Sequence, residues 1–261
     1  MAREARLGPV LAALLLIGPF ANARLMAADG AWSTPATVAR LASGNLLDLA
    51  DGRVVRLAGI RLPDDDRAPD LAKQAREALA ALTQSREVQL DEASLIHDRH
   101  GRLVAQVQRP DGLWLQGALL EVGLAQVQTR PGEVSRAAAM LAREQAARDA
   151  GRGLWAQAAF APQPADRVGR LVGSFQIVEG RVVRVAPTER FVYLNFGQDW
   201  RSDFTVRVPR DTERSLRQAG IDLERLAGRE VEVRGFVLEA GGPLIELSHP
   251  EQLQVRSDAA R

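Results

Sequence analysis

Apolar and polar positions alternate from 36 to 60 around two turn signals, Ser43-Gly44-Asn45 and Asp51-Gly52. This pattern predicts a meander of three strands over 37–42, 46–49 and 54–60. Pro63 and the acidic run 64–66 stop the third strand. From Asp70 the apolar spacing lengthens to a helical period, with Leu71, Ala75, Ala78, Leu79 and Leu82 on one face. Two more strands are predicted over 87–93 and 103–109, the second reversing at Pro110-Asp111-Gly112. A short helix over 115–122 is stopped by Gly123. An alanine-rich helix over 133–150 is capped by Gly151 and Gly153, and Leu154-Trp155 packs back after it.

Five strands interrupted and closed by helices make an α+β architecture, mostly β, of the oligonucleotide/oligosaccharide-binding (OB) barrel type. The segment 158–167, with Pro162 and Pro164, reads as a linker. Beyond it, stretches 173–185, 191–196, 204–208, 230–238 and 244–247 have strand character, with a helix over 211–219. Five strands with a helix between the third and fourth predict a second small OB-like barrel. At 261 residues the chain has room for two domains. They are expected over 34–157 and 168–256.

Composition changes this picture little. The apolar and charged fractions are those of an ordinary folded protein, and the net charge of +1 gives no sign of a polyanion-binding tail. All basic residues but Lys73 are arginine. The N-terminus is more telling: Arg3 and Arg6 precede an apolar run over 7–20, then Ala21 and Ala23 flank Asn22. That is a secretory signal-peptide pattern over 1–23, with cleavage after Ala23 or as late as Ala28. The run is shorter than the ~20 apolar residues that a spanning helix needs, so a mature chain without a membrane span, periplasmic or secreted, is expected. With no cysteine, neither a disulfide nor a cysteine-linked lipid anchor is available.

Five motifs occur in order: the SGN turn at 43–45, RLAGIRLP from Arg56, DRHGRLVA from Asp98, ALLEVGLA from Ala118, and GLW at 153–155. Over 34–157 the chain resembles staphylococcal nuclease, the thermonuclease family. The resemblance implies an OB barrel in which two arginines hold the scissile phosphodiester, while two aspartates and a glutamate assemble a calcium ion and an attacking water. It puts Arg56 and Arg102 at the arginine positions. Asn45 falls where the first calcium aspartate would be, Arg61 where the second would be, and Asp64 where the water-positioning glutamate would be. The catalytic candidates carried over are therefore Arg56, Asp64 and Arg102, and the anion-binding candidates Arg56, Arg61 and Arg102. Calcium prefers six to eight oxygen ligands, several of them anionic, and a guanidinium in that shell repels the ion. No metal ligand set is expected, Asn45 and Arg61 marking degenerate positions, and no cofactor beyond calcium in the event of nuclease activity.

Bland readings stand beside these. The acidic residues 64–66 suit a helix N-terminus, Asp65 and Asp66 being stand-ins for Asp64 only if the loop re-registers. Arg56 and Arg102 suit salt bridges as well as phosphate. His97 and His100 have no third ligand at helpful spacing. In the second domain Tyr193, Trp200, Arg201 and Phe204 form an aromatic and arginine set of the kind that binds single-stranded nucleic acid, though core and hairpin packing is the favoured account of the aromatics. Phe191 and Tyr193 share one strand face, Val192 and Leu194 the other. The stretch from Tyr193 to Phe204 also resembles a segment attached to many proteobacterial thermonuclease-family proteins. No Walker loop, dinucleotide glycine fingerprint or serine-histidine-aspartate spacing points to another enzyme class. Three functions remain: a non-catalytic binding module for nucleic acid, another polyanion or a protein; an active phosphodiesterase on DNA or RNA; and a structural envelope protein.

Overall fold

The computed structural model describes residues 32–83, 86–91, 95–199 and 201–256. The expected signal peptide and Trp200 lie outside the described residues, as do positions 92 and 93 of the predicted fourth strand. The chain divides into two compact units between Gln157 and Ala158.

In the first unit β1 (Trp32–Leu41), β2 (Leu46–Leu49) and β3 (Val54–Leu57) form the expected meander. Antiparallel pairing runs through Val38↔Leu49 and Leu46↔Arg56. The predicted third strand is interrupted at Ala58-Gly59 and resumes as β4 (Ile60–Arg61). Gly59 sits at φ 73°, and a Cβ there would lie 2.4 Å from the Met140 side chain, so the corner requires glycine. Helix α1 (Pro69–Thr83) carries proline at its first position, where no intrahelical N–H is lost. It buries the predicted stripe Leu71, Ala75, Ala78, Leu79 and Leu82.

Strands β5 (Glu87–Asp91), β6 (Ile96–His97), β7 (Leu103–Ala105) and β8 (Val107–Gln108) complete a sheet of order β6-β7-β3-β2-β1-β5-β8. Only Gln106 separates β7 from β8, so the order runs round to one continuous stretch of chain, as an OB-type barrel requires. Val38, Leu47, Val55, Leu57, Leu90 and Val104 are fully buried, with 0 % exposure. Helix α2 (Leu115–Glu121) follows, then β9 (Gln126–Val127), which no turn or alternation signal announced. Helix α3 spans Ala137–Asp149, four residues later than the predicted start at Glu133. Glu133 is instead drawn into the loop before the helix, its carboxylate 3 % exposed and engaged with Arg56.

The second unit repeats the OB order. Strands β11 (Phe175–Arg181) and β12 (Arg184–Pro187) replace one predicted strand by two that bend at 182–183; β13 (Phe191–Asn195) and β14 (Thr205–Pro209) follow, then α4 (Arg210–Gln218). Strand β15 (Glu230–Phe236) pairs with β11, and β17 (Pro243–Glu246) runs parallel to β14, the pairings of first with fourth and third with fifth strand in an OB barrel. The segment 158–167 is not a free linker: β10 (Gln163–Pro164) adds to β11 in parallel register at Gln163↔Val178. Short strands β16 (Leu238–Glu239) and β18 (Leu253–Val255) complete the sheets. Val192, Leu194, Val206, Val208, Val231 and Ile245 form the core. Among the described residues no helix is long and apolar enough to cross a membrane.

One close approach anchors the GLW segment of the first unit. Leu154 donates its N–H to the Gly123 carbonyl at 2.9 Å, and a Cβ on Gly123 would lie 2.1 Å from the Arg152 carbonyl oxygen. Gly123 is also at φ 71°. Gly123→Ala is expected to lower stability by more than about 1 kcal/mol in urea denaturation, the backbone region and the space both excluding a side chain.

Candidate functional site

The positions singled out on β2–β4 converge on one cleft. Gly44 and Asn45 of the first turn, Arg56 of β3, Arg61 of β4, Asp64 and Asp65 of the following loop, and Arg76 of α1 line a hollow of about 360 Å³. Arg130 and Gln128 complete its wall. The short β9 explains their presence: Arg61 pairs with Gln126, and Gln128 donates its N–H to the Gly59 carbonyl at 2.9 Å, which carries the chain past β4. Arg130 was not singled out by sequence reasoning, and neither was Arg76. The one available signal was the run from Gln126 to Pro131, which follows the GLA motif without helical or strand periodicity.

Within the cleft most charges are already paired. Asn45 donates its amide N–H groups to the carbonyls of Leu57 (3.1 Å) and Ile60 (3.2 Å), tying the first turn to the β3–β4 corner. Arg61 forms an ion pair with Asp64. Asp65 accepts two bonds from Arg76, at 2.7 and 2.9 Å. Asp66 is exposed and lines no part of the cleft. Arg130 is exposed, and its side chain makes no hydrogen bond or ion pair among the described residues. The cleft therefore holds four arginines and two aspartates, and both aspartates face a guanidinium.

Arg56 is held from behind. Its Nη1 and Nη2 donate to the two carboxylate oxygens of Glu133 at 3.2 and 2.5 Å, a bidentate fork, and Glu133 also accepts the Gly59 N–H at 3.3 Å. Its Nε lies 3.6 Å from Asp98, an ion-pair distance without a hydrogen bond. Arg56 is only 8 % exposed. Glu133 lies 77 residues away in sequence, and nothing in the local pattern there links it to Arg56.

Arg102 does not open into this cleft. It lines a neighbouring depression with Arg53, His97 and His100, and is linked to Arg56 only through their shared partner, Asp98. Asp98 accepts from Arg102 Nε at 2.8 Å and from the main-chain N–H groups of His100 (2.9 Å) and Arg102 (3.1 Å). Burial alone would raise the Asp98 carboxyl; the hydrogen bonds and the Arg102 charge outweigh it and hold the group well below the ordinary carboxylate range. Asp48, the remaining acidic residue of the meander near the first turn, pairs with Arg40. Among the described residues no group of three or more His, Cys, Asp or Glu side chains is arranged to hold a metal ion.

In the second unit the three described aromatic and arginine candidates separate. Tyr193 is half-buried on the outer face of β13, and Arg201 lies in an exposed turn. Phe204 is not a surface residue: at 2 % exposure it belongs to the core, 5.0 Å from the Phe196 ring. The alternation at Phe191–Asn195 does put Val192 and Leu194 inward and Phe191 and Tyr193 outward.

The model of the staphylococcal nuclease homologue family matches residues 54–157, from β3 to the GLW segment. The match includes Arg56, Arg61, Asp64 and Arg102 and begins after Asn45. No curated protein matches the chain.

Two outcomes follow from the network around Arg56. Glu133→Gln leaves a buried guanidinium without its counter-charge and is expected to lower stability by about 3–5 kcal/mol in urea denaturation. Asp98 has its carboxyl depressed in the folded chain, so its contribution is full above the unfolded value of about 3.9 and is lost as pH falls through the lower folded value. Wild type should lose stability more steeply than Asp98→Asn below about pH 4, and the gap between them should be constant above about pH 5.

Proposed function

We propose, from the premise that residues 54–157 form a staphylococcal nuclease-like domain, that this nuclease-fold unit is a non-catalytic module that binds the phosphodiester backbone of nucleic acid or another polyanion. The observation that carries the reading is the pairing inside the cleft: Arg61 with Asp64 and Arg76 with Asp65. The carboxylates that would attract a cation are screened by guanidinium groups, while Arg130 keeps an unpaired charge at the rim.

Calcium does not fit this donor set. The Asn45 amide turns its N–H groups toward two carbonyls, and Arg61 brings a positive charge to a position where the family resemblance implies a carboxylate. A hard cation there would face one aspartate already paired and a repelling guanidinium. Arg56, spent on Glu133, acts in this reading as a strut beneath the cleft; Arg61 and Arg130 are the groups that meet an incoming phosphate. Export to the periplasm or medium is part of the proposal and rests on the basic, apolar and small-residue sequence over 1–23.

The competing phosphodiesterase reading keeps some support, since Arg56, Asp64 and Arg102 match the family's catalytic positions. One set of measurements separates the readings. The mature chain is incubated with single-stranded DNA and RNA, with calcium, with other divalent ions and with chelator. No cleavage is expected under any condition, with binding that weakens as salt rises. Arg61→Ala and Arg130→Ala should each reduce the slope of log K against log salt by about 0.7. Metal-dependent cleavage abolished by Arg102→Ala would establish the nuclease instead. Absence of any binding at low salt would leave the structural envelope role.

A further inference from the structure

The second unit carries a cleft of its own. About 420 Å³ in volume, it lies on the outer face of the β12-β13-β14-β17-β16 sheet, within the size range of small-ligand pockets. Strand register decides what it displays. Ala186, Tyr193 and Arg207 lie in one cross-strand row; Arg184, Asn195, Thr205 and Leu244 lie in the next. The residues that alternate with these on β13 and β14, namely Val192, Leu194, Val206 and Val208, point into the core and are at most 1 % exposed. The outward rows thus place an aromatic ring, two arginines, two neutral polar side chains and the Glu246 carboxylate on one surface, and Asp203 adds a second carboxylate to the cleft lining.

We propose that this face binds a short segment of single-stranded nucleic acid, with a base stacked on Tyr193 and the adjoining phosphate on Arg184. Tyr193 is the only tyrosine of the chain, half-buried and tilted against Phe191 with ring centroids 6.0 Å apart. The pair makes a supported aromatic step rather than a loose side chain. Arg207 is fixed by Glu246, to which its Nε donates at 2.6 Å, and its guanidinium lies 5.1 Å from the Phe191 centroid. Arg184 differs: it is exposed and its side chain makes no hydrogen bond or ion pair among the described residues, so its charge is available. Asn195 and Thr205, bonded to each other at 3.4 Å, supply polar atoms at the cleft floor for a sugar or base edge. At one end the chain passes through Gly241 and Gly242, both at positive φ, and a Cβ on Gly242 would lie 3.2 Å from the Arg201 carbonyl oxygen. Two glycines let the β16–β17 turn close over that end. Aromatic stacking with a nearby cation is sequence-tolerant, since every base has a π-face.

This site is independent of the first unit's cleft, and the experiment keeps them apart. In a full-length Arg61→Ala/Arg130→Ala background, binding of fluorescently labelled oligo-dT and oligo-rU is followed by anisotropy, and contact is mapped by ultraviolet crosslinking of an iodouracil-substituted strand. Binding is expected to persist, with the crosslink on the tryptic peptide from Phe191 to Arg201. Tyr193→Ala should weaken it about tenfold or more, and Tyr193→Phe should retain it. Arg184→Ala, at an exposed and unpartnered position, should weaken it and flatten the salt dependence. Loss of all binding in the double-variant background would overturn this proposal while leaving the first unit's reading intact. So would a Tyr193→Ala chain that stays folded by circular dichroism and binds as wild type.

Discussion

The bidentate pair between Arg56 and Glu133 is the interaction around which the first unit is arranged. A guanidinium at 8 % exposure has lost most of its hydration, and only a carboxylate with matching geometry makes that placement tolerable. Glu133 meets that need at the expense of the helix it would otherwise begin: α3 starts four residues on, and the intervening turn aims the carboxylate at β3 and at the Gly59 N–H. The same pairing occupies the Arg56 guanidinium although the residue lines the cleft. Asp98 extends the network to Arg102, so the two arginines that the family resemblance marks for phosphate are joined through a carboxylate of the chain itself.

Once Arg56 is held internally, the cleft depends on what surrounds it. Asn45 works as a donor that fastens a turn to a strand corner, and an aspartate at the same place would set two acceptors against two carbonyls. Arg61 and Arg76 each engage an aspartate of the loop between β4 and α1. The result is a surface in which carboxylates position arginines, with Arg130 left over. In the proposed reading that arrangement favours an anion over a cation.

Much of this was legible in the sequence, and the reasons for the failures are physical. The meander, α1 and its buried stripe, and the main strands of both barrels along the chain follow from alternation, turn residues and helical period, because burial on one face imposes those periods directly. The spent state of Arg56 was not legible, since Glu133 is far along the chain and its helical surroundings read as an ordinary alanine-rich helix. Arg130 escaped notice for a related reason: β9 is two residues long, too short for any periodic signal, yet its pairing with β4 carries Arg130 to the cleft. Phe204 shows the limit of composition. An aromatic beside arginines suits either a binding face or a core, and only the fold decides that Tyr193 is outside on β13 and Phe204, just before β14, inside.

The account turns on which arginines an incoming phosphodiester meets in the nuclease-like unit. Side-chain nitrogen NMR of the arginine Nε–H groups, recorded while a dinucleoside phosphate is titrated into the full chain, reads this residue by residue. Shifts at Arg61 and Arg130, with Arg56 and Arg102 unmoved, are the predicted result. Shifts at Arg56 and Arg102 with Arg130 silent would contradict it, because they would mean that the phosphate displaces Glu133 and Asp98 from the arginines these carboxylates hold.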